Sequence, residues 1–184
     1  MNRQIAYELL TRHLSSPNLL KHSLAAEAAM RALAVRMGED NEIWGITGLL
    51  HDADYEKSKG HPELHGNLLF ELEPNVIPSN IEHAIRSHNY QYTKVMPESL
   101  MDWAITCCDQ LTGLIIASAL ILPDKKLASL TPEFVIKKMK QKGFAKGADR
   151  TQINLCEEKL GIPLAEFVAI VLTAMQQISP QLEL

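Results

Sequence analysis

The stretch Asp40-Asn41-Glu42-Ile43-Trp44-Gly45-Ile46-Thr47-Gly48-Leu49-Leu50-His51-Asp52 decides how the whole chain is read. Its apolar residues Ile43, Trp44, Ile46, Leu49 and Leu50 recur at three- and four-residue spacing, which predicts a core helix beginning after Asp40. That helix ends in a His-Asp pair, placing two potential metal ligands where a packed core meets a cleft. Adjacent residues on an ideal helix diverge by about 100°, so both reach one ion only near a frayed end or with the ion between helices.

Working outward, Ser16-Pro17 reads as an N-cap followed by proline in the first turn. The Ala-rich helix that follows carries His22 and runs to Met37, where Gly38 stops it. Downstream, Asp54 to Gly60 (DYEKSKG) is polar and reads as a loop, and a helix from about Pro62 is expected to carry His65. Pro74 and Pro78 bracket a break. A short helix from Ser79 to about His88 follows, capped at Ser79 or Asn80. The longest and most apolar helix is expected from about Glu98 to Leu122. Thr131 to Gln177 reads as three more helices, broken at Gly143 to Gly147 and at Gly161-Ile162-Pro163. Strict alternation is almost absent, so the expected fold is all-α, a compact helical bundle. No repeat, low-complexity tract or linker marks a second domain, and residues 1–184 are read as one.

The bulk numbers narrow the function. With 184 residues, 46% of them hydrophobic, the chain can bury a real core. A net charge of -4 lacks the basic excess that binding many phosphates of a long nucleic acid requires, so no such partner is expected. Three cysteines, Cys107, Cys108 and Cys156, do not form a disulfide framework and point to a reducing cytoplasm. The N-terminus lacks the apolar core of a secretory signal. The strongest apolar run, Leu111 to Leu122, is too short to span a bilayer, so no membrane is expected and the run reads as a buried helix.

Six of the seven histidines fall between His22 and His88, interleaved with acids. Imidazole nitrogen with carboxylate oxygen suits borderline divalent metals, whereas magnesium alone prefers mostly oxygen. Asp109 sits among Ala104, Ile105, Cys107, Cys108 and Leu111, and an acid in such a run is costly unless it is paired or meets a cation. It caps a neighbouring helix, pairs with an arginine, or helps to hold an ion.

His22, then His51-Asp52, then Asp109 in a mainly helical chain resembles the HD-domain superfamily of metal-dependent phosphohydrolases. The resemblance spans roughly His22 to Gly113 and implies an HD-type bundle in which His22, His51, Asp52 and Asp109 hold a first metal. Leu64-His65-Gly66 and Ala84-Ile85-Arg86-Ser87-His88 resemble the dinuclear branch. Ala104 to Gly113 (AITCCDQLTG) is similar to the aspartate helix of bacterial HD-domain diadenosine tetraphosphate hydrolases, which makes His65 and His88 the second-site ligands. His61 and His83 stand nearby and compete for those roles. His83 and His88, five apart, diverge by about 140° on one helix and should not both face the cleft, and the motif favours His88. The implied cofactor is one or two divalent ions drawn from Mn, Fe, Zn, Co, Ni or Mg.

Many relatives follow the doublet with a small residue and then lysine, but here the chain reads His51-Asp52-Ala53-Asp54-Tyr55. Lys57, Lys59 or Arg86 is then expected to meet a substrate phosphate, with Arg86 first among them because its planar fork suits phosphate. Asp52, Asp54 and Arg86 are the expected catalytic residues, Asp54 by orienting water or a ligand unless it is an exposed loop acid. Tyr55, Tyr90 and Tyr92 are candidates to stack on a base. The implied activity is hydrolysis of a phosphate monoester or anhydride by metal-activated water, with a nucleotide or dinucleoside polyphosphate as the small-molecule substrate. A nucleotide-binding sensor or scaffold without turnover, and a di-iron oxygenase, are the alternatives.

Overall fold

The computed structural model describes residues 1–184 and is all-α, with no strand. Two long helices form its frame: α2 (Pro17–Met37) and α8 (Leu100–Leu120), preceded and separated by α1 (Arg3–His13), α3 (Asn41–Leu50), α4 (Tyr55–Ser58), α5 (Leu68–Leu72), α6 (Ser79–His88) and α7 (Tyr90–Thr93). After a 3-10 turn come α9 (Pro132–Met139), α10 (Arg150–Leu160), α11 (Leu164–Gln177) and α12 (Ser179–Leu182).

Local chemistry sets the boundaries. Gly38, at φ 74°, closes α2 in a left-handed conformation that only glycine adopts cheaply. Asp40 then caps α3, its Oδ1 accepting from the backbone N–H of Glu42 at 2.8 Å and Ile43 at 3.1 Å. Ser99 and Asp102 form a reciprocal capping box that starts α8.

Two apolar clusters meet along α2 and α3. The larger gathers Met30 and Leu33 of α2, Ile105 and Leu111 of α8, and Phe167 and Val171 of α11. The smaller gathers Leu10 of α1, Leu49 and Leu50 of α3, and Ile81 and Ile85 of α6. Buried leucines and isoleucines of this kind contribute roughly 1.5–3 kcal/mol each. Small residues let α2 and α3 approach closely: a Cβ on Gly48 would lie 2.5 Å from the carbonyl oxygen of Ala26. This contact fixes the depth at which α3 delivers His51 and Asp52.

Several sequence expectations are corrected. The polar stretch after Asp54 contains a short helix, α4, rather than only loop. No helix starts at Pro62: residues 62–67 are turns, and α5 begins at Leu68. Gly66, at φ 84°, breaks the path, and the carboxylate of distant Asp54 accepts from the backbone N–H of Gly66 and of Leu69, capping α5 from outside its own segment. Pro78, not Ser79 or Asn80, occupies the cap of α6 and makes no side-chain bond. At 21 residues, α8 is also long and apolar enough to cross a bilayer, unlike the shorter run expected. Its apolarity is accounted for by packing against α2, α6 and α10.

Candidate metal centre

His22 projects from the second turn of α2, Asp109 from the middle of α8, and His51-Asp52 from the end of α3. The frayed helix end lets the adjacent pair converge. His22 Nε2 lies 2.9 Å from Asp109 Oδ1 and 3.4 Å from Asp52 Oδ2; His51 Nε2 lies 3.4 Å from both Asp52 Oδ1 and Asp109 Oδ1. The four ligand atoms all fall within 4.8 Å of one another. A second group shares Asp52: His65 Nε2 is 3.2 Å and His88 Nε2 3.6 Å from Asp52 Oδ1, and the two nitrogens are 3.0 Å apart.

Each histidine is oriented from behind. His51 Nδ1 lies 2.7 Å from the carbonyl of Gly48, an acceptor only, so Nδ1 carries a hydrogen and Nε2 is the atom turned toward the carboxylates. His88 Nδ1 donates likewise to the carbonyl of Ile85, and His65 Nδ1 donates to Asp54 Oδ1 at 2.8 Å. His22 Nδ1 faces the Thr112 hydroxyl at 3.3 Å, which itself donates to the carbonyl of Asp109. The result is a set of Nε2 atoms aimed at two carboxylates, the arrangement that outer partners impose on metal-binding histidines.

The donor set fits a divalent ion on two observations. His51 Nε2 is fully buried and has no hydrogen-bond partner, a cost that a cation at that point removes. His65 and His88 bring their Nε2 atoms to 3.0 Å, a contact that needs a proton or a metal between the two nitrogens. Electrostatics agree. Burial disfavours a charged His51, but the charges of Asp52 and Asp109 outweigh it and push the group up to about 9. Burial likewise opposes the charge on His65, yet Asp52 and Asp54 push it up to about 10. Burial works against charged Asp52 and Asp109 as well, and the surrounding histidines nonetheless hold both well below the usual carboxylate range. The pocket is built for positive charge beside two anions.

A cleft of about 610 Å³ opens over this cluster, a size suited to a small ligand. Tyr55 lines it, edge-on to the His65 ring at 5.3 Å. Other expected residues do not reach it. Arg86 is turned away to Glu82 at 2.8 Å and to Asn67, with its guanidinium over Phe70, and Lys57 bonds His13 Nδ1 at 2.6 Å. Lys59 is exposed outside the cleft, as is Tyr92, and Tyr90 does not line it either. Against the expectation of a catalytic or phosphate-binding Arg86 and Lys57, neither lines the cleft and each is engaged by other side chains. Asp54 is buried rather than an exposed loop acid, and all its contacts serve to hold His65 and the following turn, so it positions rather than reacts. His83 faces Asp102 at 3.0 Å, and His61 lies beside Glu63 at the surface.

Sequence reasoning missed the far wall. Gln110 donates through Nε2 to Asp109 Oδ2 at 2.7 Å and accepts through Oε1 from the backbone N–H of Asp149 at 2.9 Å. One amide thus ties the loop before α10 to the metal-side aspartate. Gly147, Ala148 and Gln152 line the cleft beside it. The only signal for this wall was the glycine-rich break after Gly143, which read as a helix boundary.

A family model described as HD domain matches residues 19–114, about half of the chain. The chain is 28% identical over 97 residues to Ribonuclease Y of Rhodopirellula baltica, a match that covers 50% of this chain and 18% of that protein. No solved structure matches.

Proposed function

The chain belongs to the HD domain family, whose members are in general metal-dependent hydrolases, and on that premise we propose that it hydrolyses a small phosphate ester or anhydride. The observation that carries this reading is the buried His51 Nε2, without a hydrogen-bond partner and set behind the Asp52 and Asp109 carboxylates, which line an open cleft. His22, His51, Asp52 and Asp109 would hold one divalent ion, and His65 and His88 with Asp52 a second. An ion held there supplies Lewis-acid activation of water and of the phosphoryl group.

The chain's own residues do the rest. Asp52 belongs to both ligand groups and would help to hold an ion in either. Gly48, Ile85 and Asp54 keep the three buried or half-buried rings in the tautomer that presents Nε2. Apolar packing of α3 and α8 buries His51 and the backs of Asp52 and Asp109, where electrostatic interactions are strengthened. Tyr55 offers an aromatic edge to a substrate base.

The substrate class in this proposal is a nucleotide or dinucleoside polyphosphate. The similar Rhodopirellula protein is a ribonuclease by name, which keeps phosphate chemistry in view, whereas a net charge of -4 weighs against a long nucleic acid. A cytoplasmic setting belongs to the same proposal and rests on three free, buried cysteines.

The test is a screen of nucleotides, dinucleoside polyphosphates and generic phosphoesters with added manganese, iron, zinc, cobalt, nickel or magnesium, run beside Asp52→Ala. Turnover that needs metal and vanishes in the variant, with helical content retained, supports the reading. Stoichiometric metal and nucleotide binding without turnover points instead to a sensor. Oxygen uptake with an iron-dependent absorbance points to an oxygenase.

A further inference from the structure

No lysine or arginine lines the metal cleft, although phosphate is the proposed substrate and both Arg86 and Lys57 are committed elsewhere. The adjoining hollow does carry cations. A second hollow of about 640 Å³ shares Gly147, Ala148 and Asp149 with the cleft and carries Lys142, Lys146 and Arg150 on its walls.

These three cations differ in what they are free to do. The Arg150 guanidinium is consumed by the backbone carbonyls of Phe144, Ala145 and Ala148, so it folds the loop rather than meeting a ligand. Lys142 and Lys146 are exposed and join no ion pair or hydrogen bond. Asp149, the acid between them and the cleft, spends its Oδ1 on the N–H of Thr151 at 2.8 Å as the cap of α10. The strip joining the two hollows is open: a Cβ on Gly147 would meet nothing within 4 Å. Beside it Gln152 lines the cleft, with its Oε1 buried and unpartnered, so this wall holds hydrogen-bonding capacity that the fold itself does not use.

We propose that Lys142 and Lys146 form an anion rim for the phosphates of the substrate beyond the one being cleaved. The chain would then favour substrates carrying a run of phosphates over simple monoesters. This deepens the phosphohydrolase reading and rests on it. Two unpaired ammonium groups suit a flexible polyphosphate chain, since lysine meets phosphate as a point charge and does not require one fixed geometry.

The experiment titrates metal-depleted protein with inorganic tripolyphosphate and with orthophosphate by calorimetry, comparing the parent, the Lys142→Gln/Lys146→Gln pair and a Lys125→Gln/Lys126→Gln control. The rim predicts that the first pair lowers tripolyphosphate affinity about tenfold, as expected for two exposed ion pairs, and that the control changes it less than twofold. Equal binding by the parent and the rim variant overturns the proposal, as does an equal loss in the control. A single-stranded oligoribonucleotide is titrated alongside, and a loss confined to it would reassign the surface to a nucleic acid chain and overturns the proposal too. Because binding is read without metal or turnover, a rim that binds tripolyphosphate in a protein that hydrolyses nothing would sink the hydrolytic reading alone.

Discussion

Asp54 accepts the Nδ1–H of His65 at 2.8 Å, and that hydrogen bond decides which nitrogen of His65 faces Asp52. The same carboxylate receives the backbone N–H of Gly66 and of Leu69, so one buried acid holds both a ring and the turn that carries it. Asp54→Asn can donate where it must accept. Partners behind a metal-binding histidine typically affect affinity roughly 10–100-fold. The expected outcome is a loss of that size at the His65–His88 group, with the His22–His51–Asp109 group retained. Metal stoichiometry by elemental analysis and calorimetry checks it, and unchanged two-site binding would contradict it.

Gly48 ties packing to the site, since its close approach to Ala26 sets where α3 delivers His51 and Asp52. Gly48→Ala would set a Cβ 2.5 Å from the oxygen and 2.7 Å from the carbon of the Ala26 carbonyl, backbone atoms that cannot swing aside. Overpacking of this kind costs about 3 kcal/mol, read as a lower denaturation midpoint. Gly113→Ala, where an added Cβ meets nothing within 4 Å, should instead stabilise α8 by roughly 0.5–1 kcal/mol.

The stability of the metal-depleted chain should depend on pH in a defined direction. His51 and His65 are raised from 6.5 to about 9 and about 10, so their ion pairs contribute fully below about pH 6.5 and are lost as pH rises through 9 to 10. Asp52 and Asp109 are held low, so their contribution is present above about pH 4 and is lost in stronger acid. Thermal melts with chelator should therefore fall off on the alkaline side. With manganese bound, the ion replaces those protons beside the carboxylates, and the alkaline fall should shrink. Identical profiles with and without metal would contradict the account.

How much of this was legible depends on what each residue's type constrains. Asp109 within an apolar helix was readable as needing a partner because burying an acid is costly, whereas the shared ligand role of His22, His51-Asp52 and Asp109 was read from the resemblance to the HD domain. His88 was separable from His83 by helical geometry, and the structure sends them to different partners. Arg86 and Lys57 were placed at the cleft because charge alone does not say which way a long side chain turns; in the structure they meet Glu82 and His13, and neither lines the cleft. The turn carrying His65 was missed because its stability comes from Asp54, a tertiary contact with no local pattern. The wall formed by Gln110 and the loop before α10 was missed for the same reason.

Arg150 gives that wall its shape. Its three backbone acceptors lie in residues 144–148, so Arg150→Ala should loosen the loop without disturbing the four converging residues. Faster hydrogen exchange and earlier proteolytic nicking across residues 144–149, at unchanged metal stoichiometry, are the expected result. Exchange rates equal to those of the parent would show that the loop is held by other means.

The most direct test is anomalous diffraction from crystals equilibrated with manganese. The account predicts a peak within bonding distance of His22 Nε2, His51 Nε2, and one carboxylate oxygen each of Asp52 and Asp109, lost in His51→Ala. Crystals saturated with the ion that show no density among these four side chains, or that place it elsewhere, would contradict it.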